Sequence, residues 1–256
     1  MDAVILGGAE NSGSLKKSAG ARYEAQIEIT GRPMIDFVVA ALDKLECIDR
    51  VVVVAAEEVA AGLKGKKIWK VVSPGPDMVE SLHRALQSFR GEGGGYVLVL
   101  SSDIPLITVE ALRDFLQQCQ EREADIYYSL VPRQAIEERF AGVQRTYVRL
   151  KDGTFTGGNV VLIHPEAILS YSDYLRQAIQ LRKHPLKLCR LLGIKFFLKF
   201  LAGRLTVSEI EVRVEELIKL KGAGVVSLYP EIGIDVDKPS DLQFARAILE
   251  QRPTGL

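Results

Sequence analysis

One stretch constrains the fold of this 256-residue chain most: an unbroken apolar run, residues 96–100, that ends near an acidic residue. A run of strand length without polar alternation is typical of a strand buried on both faces in a parallel sheet. It is followed by two serines and Asp103, where Pro105 favours an extended turn. Ligands of open α/β sheets bind at the carboxyl ends of the strands. Asp103 therefore holds a divalent cation or a hydroxyl-rich ligand, or else caps the turn or the next helix.

Composition and charge narrow the class of protein. The chain is 47% hydrophobic, and its 33 basic and 33 acidic residues give a formal net charge of zero. A general nucleic-acid binder usually carries a basic excess, so no nucleic-acid partner is predicted. The three cysteines are widely separated, with no metal or disulfide spacing, and residues 3–6 begin a strand without a signal-peptide pattern. These features predict a cytoplasmic protein.

Strand-like and helical patterns alternate along the chain, which indicates βαβ units and a parallel sheet. A hairpin turning at residues 152–153 and a strand at 160–163 follow, and the chain ends with a strand at 224–228 and a helix carrying Leu242. We therefore predict one α/β domain over residues 1–256: a Rossmann-like three-layer sandwich with a mostly parallel central sheet. The predicted strands before the hairpin are residues 3–6, 51–55, 69–72, 96–100 and 124–130.

Glycine-rich segments lie where backbone amides can approach a ligand. Gly7 and Gly8 follow the first strand, and the loop at residues 9–20 contains Lys16 and Lys17. Such a turn suits an anion, and the lysines add charge, although a surface loop with solvated lysines explains the same pattern. Two further groups of candidates lie later in the chain. Gly158 and Asn159 precede a strand and fit a pocket lining or a tight turn, and Ser81 lies near the start of a predicted helix, close to the ligand edge.

Two carboxylates near the carboxyl terminus share one side of an extended segment. Asp235 and Asp237 alternate with Ile234 and Val236, so their side chains point the same way. One carboxylate before a helix is usually an N-cap. Two on one face, with Asp103 available elsewhere, resemble a metal site, because like charges held together are costly unless a cation shares them.

A basic helical stretch interrupts the α/β pattern. Residues 165–222 are predicted to be helical throughout, and residues 176–204 contain eight basic residues and no acidic one. This stretch is too charged to span a bilayer. It lies on an anionic membrane surface, covers a phosphorylated substrate, or packs its apolar face on the domain with its basic groups in water.

Four segments, residues 4–8, 29–35, 97–105 and 234–242, together resemble a known family. In this order they are similar to the nucleotidyltransferase superfamily with the GT-A-like fold, most closely its MobA-like branch. The similarity spans nearly the whole chain except a helical insertion at about residues 171–222. It implies a Mg²⁺-dependent enzyme that transfers an NMP group from an NTP to a small phosphorylated or hydroxylated acceptor and releases pyrophosphate.

The resemblance also implies roles for individual residues. Leu6, Gly7 and Gly8 would begin the nucleotide loop. Asp103 and Asp237 would bind Mg²⁺ with Asp235 beside them, and Gly158 and Asn159 would shape the acceptor pocket.

The chain departs from the family pattern at the phosphate-binding loop. The family has a Pro-Lys pair where this chain has Tyr23 and Glu24, and its loop motif differs from residues 9–15. Lys16, Lys17, Arg22 and Arg32 are the candidates to replace the missing lysine in stabilising charge on the transferring phosphate, and we predict Lys16 or Lys17 from their place in the loop. Two alternatives follow: a GT-A-type glycosyltransferase that uses a sugar nucleotide, or a catalytically weak nucleotide-binding protein. The basic stretch at 176–204 additionally suggests contact with a membrane or a lipid-linked acceptor.

Overall fold

The computed structural model describes residues 1–90, 95–171, 176 and 193–251. The strands in these ranges are β1 (Asp2–Leu6), β2 (Glu28–Ile29), β3 (Arg32–Pro33), β4 (Arg50–Val54), β5 (Ile68–Val72), β6 (Val97–Ser101), β7 (Ile126–Pro132), β8 (Val148–Leu150), β9 (Gly153–Ile163) and β10 (Gly222–Val226). The α-helices are α1 (Gly13–Ala19), α2 (Met34–Lys44), α3 (Glu57–Ala60), α4 (Met78–Gln87), α5 (Val109–Cys119), α6 (Arg133–Arg139), α7 (Pro165–Ser170), α8 (Ile194–Leu201), α9 (Val207–Ile218) and α10 (Pro239–Gln251). Short 3-10 turns lie at Glu24–Gln26 and Pro230–Gly233.

An eight-stranded sheet forms the centre of the fold, in the order β10-β7-β9-β6-β1-β4-β5, with β8 paired to β9. β1 lies between β4 and β6 and is parallel to both, with Leu6 opposite Val54 and Ser101. β9 runs antiparallel between β6 and β7. The predicted mostly parallel α/β sheet is thus confirmed. Its register brings the residues after β1 and β6 to the same edge.

Apolar clusters cover both faces of the sheet. Ile5, Val53 and Leu98 pack with α2 and α5 on one face, whereas Val4 and Val52 pack with α4, α7 and α9 on the other. Successive strand side chains point to opposite faces, so the unbroken apolar runs fill both layers. The three-layer arrangement follows from these runs.

A third cluster joins elements that are distant in sequence. Leu15 of α1, Ile234 and Val236, and Leu242 of α10 are all buried within it. Because Ile234 and Val236 point into this cluster, the residues that alternate with them face the other way. The cluster therefore orients Asp235 and Asp237.

The structure corrects the prediction of a loop over residues 9–20, because residues 13–19 form α1. Glycine and serine are poor helix formers, but burial of Leu15 stabilises this turn of helix. Gly20 ends the helix in the left-handed region at φ +60° and donates from its amide to the Lys16 carbonyl at 3.3 Å.

Two further predictions need correction. Residues 156–159 form neither a turn nor a loop before a strand; they lie inside β9, which continues from Gly153 to Ile163. Residues 165–222 are not helical throughout, because the described part contains α7, α8 and α9 with connecting segments, and β10 begins at Gly222. Most of the basic stretch, residues 177–192, lies outside the described residues. Within the described ranges, every helix is too short or too polar to cross a membrane.

Candidate active site

Three carboxylates converge at the edge of the sheet where β6 ends. Asp103, Asp235 and Asp237 each offer one oxygen, and these three oxygens lie within 4.8 Å of one another. The amide of Val236 donates to the carbonyl of Asp103 at 2.9 Å, which ties the segment carrying two of the acids to the turn after β6. The structure thus brings together the three residues that the sequence singled out as metal ligands.

None of the three carboxylates is explained by helix capping. The N-cap of α5 is Thr108, whose hydroxyl accepts from the amide of Ala111 at 3.2 Å, so Asp103 does not cap that helix. Before α10, it is the Asp241 carboxylate that accepts from the amides of Asp237 and Lys238, at 3.2 and 3.1 Å. Helix capping, an alternative role predicted for these acids, is therefore not supported.

Burial and like charges disturb the titration of Asp103. Its Oδ1 is inaccessible to solvent and has no hydrogen-bond partner in the described part of the chain. Burial raises the pKa of Asp103 to about 7; the nearby Ser101 hydroxyl opposes this shift, and Asp235, Asp237 and Glu24 add to it. A buried, unpartnered carboxyl oxygen facing other carboxylates favours a bound cation.

Glu24 is a fourth carboxylate at the site. It begins the 3-10 turn Glu24–Gln26, and burial raises its pKa, with further contributions from Asp237 and Asp235. The pKa of Asp237 is also raised, first by burial and then by Asp235. Sequence reasoning noted Glu24 only as a charge reversal relative to the family, and did not place it with the three aspartates.

Arg145 supplies the positive charge within this acidic group. Its guanidinium forms an ion pair with the carboxylate of Asp235, and Nη2 donates to the Asp235 carbonyl at 2.5 Å. The Arg145 side chain is only 9% exposed, and its Nε is buried without a partner among the described residues. Sequence analysis missed Arg145 because residues 141–147 carry no periodic pattern that places them near the sheet edge.

The glycine turn after β1 lies next to the turn that carries Asp103. The amide of Gly7 donates to the Val54 carbonyl at 2.8 Å, and the amide of Ser102 donates to the Leu6 carbonyl at 3.2 Å. A Cβ added at Gly8 would lie 2.5 Å from the Cβ of Pro74, so only glycine fits against this loop. Leu6, Gly7 and Gly8 therefore lie at the carboxyl end of β1, beside the turn that carries Asp103. Their contact with a nucleotide remains a prediction.

Ser81 fixes the loop that faces Gly8. Its hydroxyl is buried and accepts from the amide of Gly75 at 2.9 Å. A Cβ at Gly75 would lie 2.5 Å from the Glu80 side chain, so this loop packs closely on the first turn of α4. Through Pro74, Ser81 thus supports the backbone opposite the glycine turn.

The two lysines predicted to be catalytic lie on α1 with exposed side chains. Within the described ranges, neither Lys16 nor Lys17 forms an ion pair with a carboxylate of the site. Their buried neighbour Leu15 shares a cluster with Val236, which places α1 beside the segment that carries Asp235 and Asp237. Their role in charge stabilisation remains a prediction.

The two residues predicted to shape the acceptor pocket lie on β9 beside the Pro230–Gly233 turn. The Asn159 amide group donates to the Ile232 carbonyl at 3.4 Å. A Cβ at Gly158 would lie 2.2 Å from the Ser129 hydroxyl and 2.7 Å from Ile232. The glycine thus permits close packing of β9 against β7 and this turn. Contact of either residue with an acceptor remains a prediction.

Two cavities differ in their relation to the site. One of about 400 Å³ is lined by residues from the segments that carry Arg145 and Asp237, among them Gln144, Lys238, Asp241 and Phe244, and it includes none of the four carboxylates. The other, of about 800 Å³, lies at the far edge of the sheet between β10 and α9 and includes none of the four carboxylates. Neither cavity contains the carboxylates, and of the two only the smaller one is lined by the segments that carry Arg145 and Asp237.

Comparison with known proteins gives a match over most of the chain. The family profile described as the MobA-like NTP transferase domain matches residues 15–190. This range includes Asp103, Gly158 and Asn159. A hypothetical transferase from Thermus thermophilus, known from its structure, is 34% identical, with 94% of this chain and 98% of that chain covered and a TM-score of 0.83.

More distant structures share the architecture. The 4-diphosphocytidyl-2C-methyl-D-erythritol synthase of Anaerococcus prevotii is 14% identical, with 98% of each chain covered and a TM-score of 0.59. A CMP:2-keto-3-deoxy-manno-octonic acid synthetase, solved as a complex with CTP, is also 14% identical, with 98% of each chain covered and a TM-score of 0.61. At such identities the likeness shows the fold alone, and it confirms the GT-A-like fold of nucleotidyltransferases.

A curated relative matches part of the chain. The bifunctional protein GlmU of Bacillus subtilis is 31% identical over 124 residues. The match covers 48% of this chain but only 26% of GlmU, so it spans about a quarter of that relative.

Proposed function

The chain belongs to the MobA-like NTP transferase family, and from that premise we propose that it transfers the NMP group of an NTP to a small phosphorylated or hydroxylated acceptor. An acceptor oxygen forms a bond to the α-phosphorus while the bond from that phosphorus to the bridging β-phosphate oxygen breaks, and pyrophosphate leaves with that electron pair. When the acceptor is a hydroxyl, its proton passes to solvent water. This chemistry depends on positioning and charge stabilisation, and it needs no covalent intermediate on the protein.

The observation that carries the proposal is the convergence of Asp103, Asp235 and Asp237 beside a glycine turn. Their oxygens lie within 4.8 Å of one another, close enough to share one hard cation. The Oδ1 of Asp103 is buried and has no hydrogen-bond partner among the described residues, so it is available as a ligand for such a cation. We therefore assign Mg²⁺ to these three residues. When bound, Mg²⁺ neutralises charge on the phosphates and orients them.

The remaining site residues have positioning roles. Leu6, Gly7 and Gly8 bring backbone groups close to the nucleotide, as a loop without side-chain bulk allows. Ser81 holds the loop at residues 73–76 against Gly8. Lys16 and Lys17 on α1 stabilise charge on the transferring phosphate, and Arg145 holds Asp235 in place.

The acceptor has space beside these groups. The cavity of about 400 Å³ carries Lys238, adjacent to Asp237, and the amide of Gln144, adjacent to Arg145. The Asp241 carboxylate also lines the cavity, and it accepts from the amides of Asp237 and Lys238. The Lys238 cation and the Gln144 amide would suit an acceptor that carries a phosphate. Gly158 and Asn159 extend the acceptor side along β9.

Pyrophosphate release tests this proposal directly. The protein is incubated with each common NTP, Mg²⁺ and a panel of phosphorylated sugars and alcohols, and pyrophosphate is measured with a coupled phosphatase. We expect one NTP and acceptor pair to give turnover that requires Mg²⁺ and falls at least 100-fold in Asp103→Asn, in line with losses of a transition-state contact. Sugar-nucleotide consumption without pyrophosphate would instead indicate a glycosyltransferase.

One observation favours a second candidate, a nucleotide-binding protein with weak catalysis. Glu24 places negative charge next to Asp237 and Asp235, where the transferring phosphate would lie. Its carboxylate repels a polyphosphate unless a cation lies between them. Mg²⁺-dependent NTP binding without pyrophosphate release, for every acceptor tested, would support this candidate over the transferase.

A further inference from the structure

Helix α8 carries an apolar stripe that no described part of the chain covers. Ile194, Leu198 and Leu201 are 66%, 57% and 65% exposed. They follow one another at helical spacing and so share one face of α8. None of the eight residues of α8 is fully buried. Large aliphatic side chains grouped in this way mark an interaction surface more often than single exposed ones do.

The opposite side of α8 is attached to the sheet. Phe196 packs on a small cluster formed by Leu150, Phe155 and Leu205. The amide of Lys151 donates to the Leu205 carbonyl at 2.8 Å, which joins the segment after α8 to the β8–β9 hairpin. The exposed stripe is therefore presented by a helix with a fixed position on the domain.

The charged residues of α8 itself are all basic. Lys195 and Lys199 lie within α8 and Arg204 shortly after it, and α8 contains no acidic residue. Lys199 forms an ion pair with Glu209 at the start of α9, so that acid is neutralised. In the amino-acid sequence no acidic residue occurs between Asp173 and Glu209. The surface therefore complements a negatively charged partner.

We propose that the α8 surface, formed by Ile194, Leu198, Leu201 and the flanking Lys195 and Arg204, docks on the surface of a bilayer containing anionic lipids. A helix of eight residues is roughly 12 Å long, which suits lying in the headgroup region and is far too short to span a bilayer. The aliphatic stripe enters the boundary between headgroups and acyl chains, and the basic side chains contact lipid phosphates. This proposal does not depend on the proposed transferase reaction.

Vesicle flotation of the full chain tests the proposal. We expect the wild type to float with vesicles of phosphatidylcholine and phosphatidylserine, to float poorly with phosphatidylcholine alone, and to be released by high salt. Leu198→Glu should lower the bound fraction about tenfold, because it removes apolar burial and adds a repelled charge. Lys195→Glu should also lower binding. Val212→Glu is the matched control, since Val212 is a 58%-exposed aliphatic residue on α9.

Three outcomes would overturn the proposal. Equal flotation of Leu198→Glu and Val212→Glu would show that the stripe does not bind the vesicle. Alternatively, the wild type fails to float and sediments as a dimer in analytical ultracentrifugation. If Leu198→Glu dissociates that dimer, the stripe binds a second copy of the chain. A monomer that does not float would show that the stripe has no bilayer partner. Far-UV circular dichroism of each variant checks that the fold is retained.

Discussion

The carbonyl of Asp103 accepts a hydrogen bond of 2.9 Å from the amide of Val236. This bond joins the turn after the central strand to the segment before the last helix. Val236 is buried, so its neighbours Asp235 and Asp237 point away from the core and toward the Asp103 carboxylate. This backbone contact, together with the burial of Val236 and the ion pair of Arg145 with Asp235, holds together carboxylates whose mutual repulsion opposes their assembly.

Asp103 should make the stability of the metal-free protein depend on pH. Its pKa is raised from 3.8 to about 7 by burial and by neighbouring carboxylates. Because its raised pKa means that the folded state holds this proton more tightly, protonated Asp103 stabilises the fold below about pH 4. This stabilisation is lost as the pH rises through about 7. At about 1.4 kcal/mol per pKa unit, the loss is on the order of 4 kcal/mol at most.

Thermal unfolding from pH 4 to pH 8 in the presence of a chelator measures this effect. The melting temperature of the wild type should fall from pH 4 to pH 8 as Asp103 loses its proton, and Asp103→Asn should lack this part of the fall. At pH 8 Asp103→Asn should be more stable than the wild type. Asp114→Asn on α5 is the control, because Asp114 bonds only to Gln118 one turn away among the described contacts. Parallel profiles for wild type and Asp103→Asn would contradict the assigned pKa.

Arg145 should stabilise the metal-free site. Arg145→Met leaves the Asp235 carboxylate, only 23% exposed, without its counter-ion, and we expect a loss of about 3 kcal/mol in the free energy of unfolding. Urea denaturation in chelator measures it, and added Mg²⁺ should restore part of the loss. The control Arg133→Met removes the surface pair with Glu137 and should change stability little. Equal losses in the two variants would contradict the role given to Arg145.

Much of the fold could be predicted from the sequence, because in the central strands and in the segment before the last helix the local pattern agrees with the tertiary packing. The apolar runs that became β1, β4 and β6 are buried on both faces, so no other environment suits them. The alternation of Ile234 and Val236 with two aspartates also specified which side each residue faces. At these positions local pattern and packing point to one structure.

The parts that were missed depend on contacts between distant segments. Helix α1 has a single buried anchor, Leu15, and the cluster that it joins includes residues more than 200 positions later in the chain, among them Ile234 and Leu242. β9 continues through Gly157 and Gly158, where side chains of β7 occupy the space that a Cβ would need. Only glycine lets the two strands pack this closely. Arg145 reaches Asp235 from a segment without periodicity. Such positions are set by tertiary contacts, which override local preference.

Glu24 should weaken the metal-free fold and strengthen cation binding. Glu24→Gln removes one of the four neighbouring carboxylates, so we expect a slight rise in melting temperature in chelator. The same change should weaken Mg²⁺ binding several-fold, as followed by the melting-temperature increase across a Mg²⁺ titration. Glu28→Gln, at an exposed position four residues later, is the control. Unchanged Mg²⁺ affinity in Glu24→Gln would show that Glu24 does not act on the cation.

Gly8 should be intolerant of a side chain. In Gly8→Ala the new Cβ would lie 2.5 Å from Pro74, which forces the loop at residues 73–76 outward. We expect a loss of about 1–3 kcal/mol in stability and a lower NTP affinity, as overpacking predicts. Gly62→Ala is the control, because its Cβ would meet nothing closer than the Val59 carbonyl at 3.8 Å. Wild-type NTP affinity in Gly8→Ala would contradict the placement of the nucleotide against this turn.

Mg²⁺-dependent binding of an NTP at Asp103 is the central claim, and thermal unfolding tests it most directly. The wild type, Asp103→Asn and Asp114→Asn are melted with each common NTP, with and without Mg²⁺. A ligand at about 100 times its dissociation constant stabilises a protein by about 2.7 kcal/mol. We predict that one NTP stabilises the wild type and Asp114→Asn only when Mg²⁺ is present, and that Asp103→Asn loses this effect. Equal Mg²⁺-dependent stabilisation of Asp103→Asn, or no response of the wild type to any NTP, would contradict the account.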